Sequence, residues 1–427
     1  MNGSFMELYL KYHKGTEPPT IFHRWCAISM MATILGKNSW IEHGHSKIYP
    51  NQYIMLLGES GARKDTAIKA AVKLLRDSGF ENIASSKTSK EKFLMDLQHG
   101  LDGENDAIDL DEVDKTSVGG LFESLGLQDD SAVSEGLIAA GEFNVFIGHG
   151  NIEFIDLLTD LWDYHGVFKQ RFKTSKSIRV PNPYINMLIG NTAIGVSMSF
   201  PPEVVGQGFF SRLVIVYSDP SGRLVAFPPA PDQDVRIELI SRLSELRMTY
   251  SGEVSISPEG KNALEEIYLN YVKMEDSRFR SYSARRFTHL LKLCTICAAD
   301  RLSHFITLQE VITANTILVY TEFYMSQGLG QFGKAKNSDV TSRILDILMT
   351  SNKIVTHRSL WSLVSRDLEK PAMLADILTN LVNAGKVMVV DRGFIGVLKQ
   401  LNTDEPHTNF MALEEYLERQ EVISRPK

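Results

Sequence analysis

The sequence predicts an α/β fold: a largely parallel sheet joined through helices, then a long helical block, then a small domain of helices and a hairpin. Three observations predict it. Short apolar runs bounded by polar turns, YIMLL from Tyr53, LIAA from Leu137, YINMLIG from Tyr184 and LVIVY from Leu213, have the length and composition of buried parallel strands. Helical spacing of apolar residues follows the first run over residues 67–74 and dominates residues 235–327. Beyond the glycine-rich GLGQFGKAKN, helix-like and hairpin-like patterns fill residues 338–400. The expected organisation is an N-terminal helical segment (1–50), a core (51–230), a helical block (231–330), a C-terminal domain (338–400) and a mobile tail (401–427).

At 427 residues the chain has room for two or three domains, and 43% hydrophobic with 23% charged residues is ordinary globular composition. A net charge of −7 argues against bulk electrostatic wrapping of nucleic acid, so DNA contact requires a local basic patch or a pore assembled from several subunits. The three cysteines do not make a disulfide framework; Cys294 and Cys297 share an apolar helix face in HLLKLCTICAADRL, which reads as core packing ahead of metal or redox work. The opening MNGSFMELYLKYHKG lacks an apolar signal core, and no apolar stretch approaches a membrane span, so a cytoplasmic location without membrane partners is expected.

In chain order, residues 1–36 carry two helical patterns split by Pro18 and Pro19. In the second, Phe22 and Trp25 are expected to pack inward, and the segment as a whole to turn an outer face to a neighbouring subunit. Residues 40–43 and 47–48 read as short strands.

The stretch YIMLLGESGARKDTAIKAAVKL must turn from strand end to helix start between Gly58 and Thr66. A glycine-rich turn closing on a helix N-terminus aims backbone N–H groups and the helix dipole at one point, and Lys64 adds a mobile charge. This nearly spells the P-loop pattern GxxxxGK[ST], with Arg63 in place of the second glycine and Asp65 in place of the metal-binding hydroxyl. Gly61 is expected to supply the tight approach instead. Asp65 or the Thr66 hydroxyl meets Mg²⁺, directly or through water. The candidate ATP-binding set is Gly58, Glu59, Ser60, Gly61, Ala62, Arg63, Lys64, Asp65 and Thr66. The bland alternative is a strand-to-helix turn that binds nothing; Lys64 in register favours nucleotide.

Residues 87–97 read as a helix capped by Ser89, and the acidic run over 100–115 as a solvated loop without calcium-loop spacing. GLIAAGEF is a strand ending in a carboxylate: Glu142 at its tip can polarise a water beside the γ-phosphate, while Gly141 stands where a metal-associated Asp is usual. After a helix over 152–164, VFKQRFKTSKSIRVPNP describes a hairpin carrying Lys169, Arg171, Lys173, Lys176 and Arg179. A ring of such hairpins would present a positive surface to DNA; a single one is equally a solvated hairpin. The next strand delivers Asn191, which either orients the attacking water or caps the following turn. A short helix over 201–205 precedes GFFSRLVIVYSD, where Arg212 is placed to reach a neighbouring subunit's site, or to pair on the surface.

After a proline-rich linker (226–234), residues 235–327 read as helical throughout. Arg285 and Lys292, seven residues apart, share one face, and Thr307 with Glu310 forms a capping box. The last domain runs helix (342–349), strand (354–355), helices (360–366 and 372–384) and a hairpin turning at Asp391-Arg392-Gly393, a winged-helix order. Its PAMLADILTNLVNA helix has no Lys or Arg, which favours docking a partner over reading DNA, with Arg392 left to touch phosphate. A short helix is expected over 413–419.

The order of glycine loop, strand-end Glu142, basic hairpin, strand ending in Asn191, FFSR before a strand, helical block and winged helix resembles the AAA+ ATPase core of the MCM-type replicative helicases. GFFSRLVIVYSD looks like that family's arginine-finger motif, and SARRFTHLLKLCTICAA followed by FITLQEVITANTIL like its sensor-2 helix and the helix after it. The stretch from IFHRW through GESGARKDTAIKAA is similar to an uncharacterised group of phage and plasmid P-loop ATPases that sit among replication genes.

Covering residues 22–398, the resemblance implies a P-loop AAA+ core with a helical lid and winged-helix domain, working as a hexameric DNA-translocating ATPase with ATP and Mg²⁺. Lys64 would bind the β- and γ-phosphates, Glu142 activate water, Asn191 act as sensor 1, Arg212 as the finger and Arg285 as sensor 2; Lys173 and Lys176 would lie at the pore hairpin's tip. Single-stranded or forked DNA and a replication protein docked on the winged helix are the implied partners, in a host cytoplasm if the gene is phage-borne. The rivals are a degenerate nucleotide-binding scaffold or loader, and a DNA-dependent ATPase for transposition or packaging.

Overall fold

The strand Tyr53–Leu57, buried at every position, lies within a four-stranded parallel sheet ordered Glu135–Ala140, Tyr184–Asn191, Tyr53–Leu57, Leu213–Tyr217. The computed structural model describes residues 4–99, 132–148, 150–171, 177–200, 208–228, 230–274 and 276–329, then 340–341, 343–344, 347–348, 355–365, 368, 370–383, 387–390 and 393–396. Leu57 pairs with both Asn191 and Tyr217, so three strands end in step and their C-terminal ends share one edge. Helices cover both faces of such a sheet, which is why its strands are continuous apolar runs. A one-residue parallel bridge, Ile83 to Leu137, continues the sheet past Glu135–Ala140 and is too short to leave a sequence signal.

Ser4 caps the first helix, Phe5–Tyr12, by accepting from the Glu7 N–H. The second, Thr20–Leu35, is buried at every residue from Phe22 to Leu35 and packs on the helices Lys64–Asp77 and Gln233–Thr249. A helix apolar on all sides belongs inside, and Phe22 and Trp25, expected to pack inward, are fully buried. Trp25 Nε1 donates to Thr321 Oγ1 at 2.9 Å and Tyr184 donates to the Ala32 carbonyl at 2.7 Å, binding this helix to its surroundings.

The expected short strands, Ser39–His43 and Ser46–Ile48, pair with one another as an antiparallel hairpin. The block expected as helical throughout is instead four helices, Gln233–Thr249, Pro258–Asn270, Arg280–Asp300 and Leu308–Gly328, with two short strands between the first pair. Gly252–Glu253 pairs in parallel with Ser39–Trp40, and Ser255–Ile256 with Phe305–Ile306. The helix Gln233–Thr249 ends at Tyr250, whose backbone is extended at φ −92° and ψ 100°, and Gly252, at φ 108°, takes a backbone conformation that favours glycine as the chain enters these strands. The Thr307–Glu310 capping box is present, and all three cysteines are free and buried. Gly328 ends the last helix against the sheet, where a Cβ would lie 2.7 Å from Leu57 Cδ2.

The chain divides into two compact units, which among the described residues run over 4–329 and over 340–396. In the second, Val355–Thr356, Gly393–Gly396 and Val387–Val390 make a three-stranded antiparallel sheet beside the helices His357–Val364 and Pro371–Asn383, around Ile344, Leu348, Leu360, Leu374 and Leu378. The acidic run, the short helix over 201–205, Arg392 and the 401–427 tail with its expected helix lie outside the described residues. Among the described residues no helix is long and apolar enough to cross a membrane.

Asp300 accepts from the Ser4 hydroxyl and from the Met6 N–H at the start of the first helix. Burial, opposed by those bonds, raises its pKa from 3.8 to about 6. A carboxyl with a raised folded pKa holds its proton more tightly in the fold, so its contribution is present below about pH 4 and lost as pH rises through about 6. Asp300→Asn should remove this slope, gaining roughly 2–3 kcal/mol relative to wild type between pH 4 and 7 in urea unfolding. Parallel pH profiles for the two proteins would refute it.

Candidate functional site

Three segments leave the same sheet edge: the Gly58–Arg63 loop, Gly141–Glu142 and Asn191–Thr192. Together with Lys64, Asp65 and Thr66 they line one cleft of about 930 Å³. Gly58 is required where the loop departs, since a Cβ there would stand 2.6 Å from the Ser218 carbonyl oxygen. Gly61 has φ +92°, and Arg63 is also left-handed, at φ 59° and ψ 27°. At the position of the missing glycine Arg63 keeps the glycine-like backbone itself, at a strain of about 1–2 kcal/mol.

Glu17, which no local pattern marks, holds that arginine: its Oε2 is 2.5 Å from Arg63 Nε, and its Oε1 accepts from the Val225 N–H at 3.0 Å. The Val225 N–H first, and Arg63 with it, keep the Glu17 carboxyl below the usual range.

Lys64 opens the helix Lys64–Asp77 and is 9% exposed. Its ammonium donates to the Gly58 and Glu59 carbonyls, both at 2.8 Å, which folds the side chain back along the loop. Burial lowers its pKa, and the Glu142 carboxylate opposes the shift. Glu142 is exposed at the N-cap of Phe143–Ile147, where its side chain makes no capping bond. Asp65 pairs with Lys69 at 2.6 Å, and Thr66 is exposed at the same helix start. Among the described residues no three His, Cys, Asp or Glu side chains gather to hold a metal unaided.

Asn191 reaches the cleft but is buried. Its Oδ1 accepts from the Thr192 N–H at 3.0 Å and its Nδ2 lies 3.5 Å from Ser199 Oγ, while Thr192 caps the next helix through the Gly195 N–H. In this conformation the amide serves the turn.

Arg212 and Arg285 are elsewhere. Leu213 pairs with Tyr53, so Arg212 stands beyond the N-terminal strand ends, about one strand length or ~16 Å from the loop edge. Its Nη1 donates to the Gly208 carbonyl at 2.8 Å, and its guanidinium lies 5.7 Å from the Trp162 ring centroid. Arg285 joins the same indole at 5.8 Å and approaches Asp163 at 3.8 Å. Lys292, fully buried, contacts Asn51 Oδ1 at 2.6 Å and Asp163 Oδ1 at 3.2 Å. Burial lowers the pKa of both Lys292 and Arg212. The shared face of Arg285 and Lys292 was legible from spacing; Trp162, Asp163 and Asn51, at element ends, were not.

In the basic hairpin Val167–Gln170 pairs with Ile178–Pro181, with Lys169 opposite Arg179. Lys169 and Arg171 are exposed, and the Arg179 N–H donates to Gln98 of the helix Lys90–His99. Lys173 and Lys176 lie outside the described residues. No protein-family model matches the chain and no curated protein matches it, so the functional reading rests on these residues themselves.

Proposed function

We propose that the protein is a P-loop AAA+ ATP hydrolase with a helical lid and a winged-helix unit, acting as a hexameric DNA-translocating motor of the replicative-helicase kind from a phage or mobile element. The observation that carries this reading is the convergence of the Lys64 loop, Glu142 and Asn191 on one cleft. One strand separates Tyr53–Leu57 from Glu135–Ala140. Two strand spacings, about 10 Å, leave space for a terminal phosphate and an attacking water between Lys64 and Glu142.

In this reading Lys64 exchanges its two carbonyl partners for β- and γ-phosphate oxygens, and Glu142 polarises the water. Asn191 senses the γ-phosphate after releasing the Thr192 N–H. Asp65 and Thr66 are the side chains that would hold a Mg²⁺, which when bound would neutralise the charge developing on the phosphate. Arg212 and Arg285, at the opposite edge with Lys292 and Asp163, act on the nucleotide of an adjoining subunit. Lys169, Arg171 and Arg179, with Lys173 and Lys176, grip single-stranded or forked DNA, and the winged helix docks a replication protein.

Arg212→Ala tests the shared site. It should leave nucleotide affinity within about twofold and reduce hydrolysis by ~10³. Mixing it with Lys64→Ala protein should recover activity, because some seams then pair an intact loop with an intact arginine. Wild-type hydrolysis by Arg212→Ala, or by isolated monomers, would end the shared-site reading. A second reading, a scaffold or loader that binds nucleotide without turnover, is favoured by the engagement of Asn191 in its own turn. It predicts bound nucleotide and no hydrolysis with or without single-stranded DNA.

A further inference from the structure

Asp65, in place of the P-loop hydroxyl, and Gly141, in place of the usual strand-end Asp, lie side by side. An ideal Cβ built on Gly141 would lie 2.6 Å from Asp65 Oδ1 and 3.2 Å from its Cγ. The Asp65 carboxyl group therefore occupies the space a side chain at 141 would enter. Gly141 is tight on another side as well, since its carbonyl oxygen would be 2.4 Å from a Cβ on Gly190. We propose that the cation-holding carboxylate of this cleft has been transposed: it comes from Asp65 in the first helical turn instead of from the strand tip, and Gly141 is the complementary change that makes room for it. The proposal rests on the nucleotide reading above and adds to it the residue that takes the divalent cation and the reason for the glycine.

The chemistry suits the exchange. A carboxylate is a harder and more strongly charged ligand for Mg²⁺ than the threonine hydroxyl the pattern expects. In the structure Lys69 supplies its counter-charge at 2.6 Å, but that lysine is 76% exposed and is free to yield to a cation. Without a cation, the same carboxylate beside the loop repels a triphosphate. Nucleotide affinity should therefore depend on the cation in a particular way: weak in chelator, strong with Mg²⁺.

The test is nucleotide affinity, by titration with a fluorescent ADP analogue in EDTA and in Mg²⁺, together with Mn²⁺–ADP binding by electron paramagnetic resonance. Wild type should bind at least about thirtyfold more tightly with Mg²⁺. Asp65→Thr should bind more tightly than wild type in EDTA and lose most of the Mg²⁺ gain, and its Mn²⁺ signal should weaken. Gly141→Asp should lose Mg²⁺-dependent binding, because two carboxylates compete for one space, and the double variant Asp65→Thr with Gly141→Asp should restore it. If Gly141→Asp does not fold, Gly141→Ala, which displaces the Asp65 carboxylate by a single methyl, should show the same loss. Equal Mg²⁺ dependence in wild type and Asp65→Thr, or no recovery in a folded double variant, overturns the transposition while leaving nucleotide binding intact. Failure of wild type to bind nucleotide in either condition overturns the underlying reading instead.

Discussion

Lys64→Ala should weaken ATP and ADP binding by at least about a hundredfold while leaving the fold in place. The two contacts that close the loop, to the Gly58 and Glu59 carbonyls, are the ones an incoming phosphate would replace. Each charge-assisted hydrogen bond to phosphate is worth about 1.5–3 kcal/mol, so losing two removes roughly 3 kcal/mol or more. That corresponds to a factor of over a hundred in Kd. The loop has supports besides the ammonium: the Ala62 N–H donates to the Glu59 carbonyl at 3.2 Å, and Glu17 holds Arg63. Thermal unfolding should accordingly shift little in the absence of nucleotide. Calorimetric titration of both proteins checks the affinity, and an unchanged Kd would remove the loop from consideration as a phosphate site.

What was legible in the sequence is what short-range pattern encodes. The run from Tyr53 to Asp77 announced strand, turn and helix because burial on both sheet faces demands continuous apolar residues and the helix demands its own spacing. Glu142 and Asn191 were found because each follows such a run directly. What escaped depends on residues far apart in the chain. Nothing near Glu17 says that it will hold Arg63 in a left-handed conformation, since that pairing is created by the return of the N-terminal segment past the loop. Asp65 and Gly141 each read as separate departures, and only the fold puts the Asp65 carboxyl group where a side chain at 141 would stand. The short strands at Gly252 and Ser255 escaped for a related reason: two residues carry no periodicity, and partners at Ser39 and Phe305 supply the edge.

Arg286→Met should be among the most destabilising single substitutions in the larger unit, by about 3–5 kcal/mol, although its neighbour Arg285 tolerates alanine with less than about 1 kcal/mol. The two arginines are adjacent in sequence and opposite in environment. Arg285 is 37% exposed and meets Asp163 only at 3.8 Å. Arg286, 2% exposed, donates through Nε to both Glu322 oxygens at 2.8 and 3.0 Å and through Nη2 to Asn315 at 2.8 Å. Tyr282 donates to the same carboxylate at 3.0 Å, and the Tyr271 ring lies 4.6 Å from the guanidinium. Removing the cation alone leaves Glu322, 9% exposed, as a buried and uncompensated charge, which accounts for the size of the effect. Removing both charges, as Arg286→Met with Glu322→Leu, should recover most of the loss, because the desolvation of the pair disappears with it. Urea unfolding of the two single variants and the double variant separates these terms. In the proposed motor the joint matters because it locks the Arg280–Asp300 and Leu308–Gly328 helices together and so holds the turn of helix that carries Arg285. Arg285→Ala should therefore alter the response to nucleotide between subunits without altering stability, and Arg286→Met the reverse order of severity; equal unfolding midpoints for the two would refute the division.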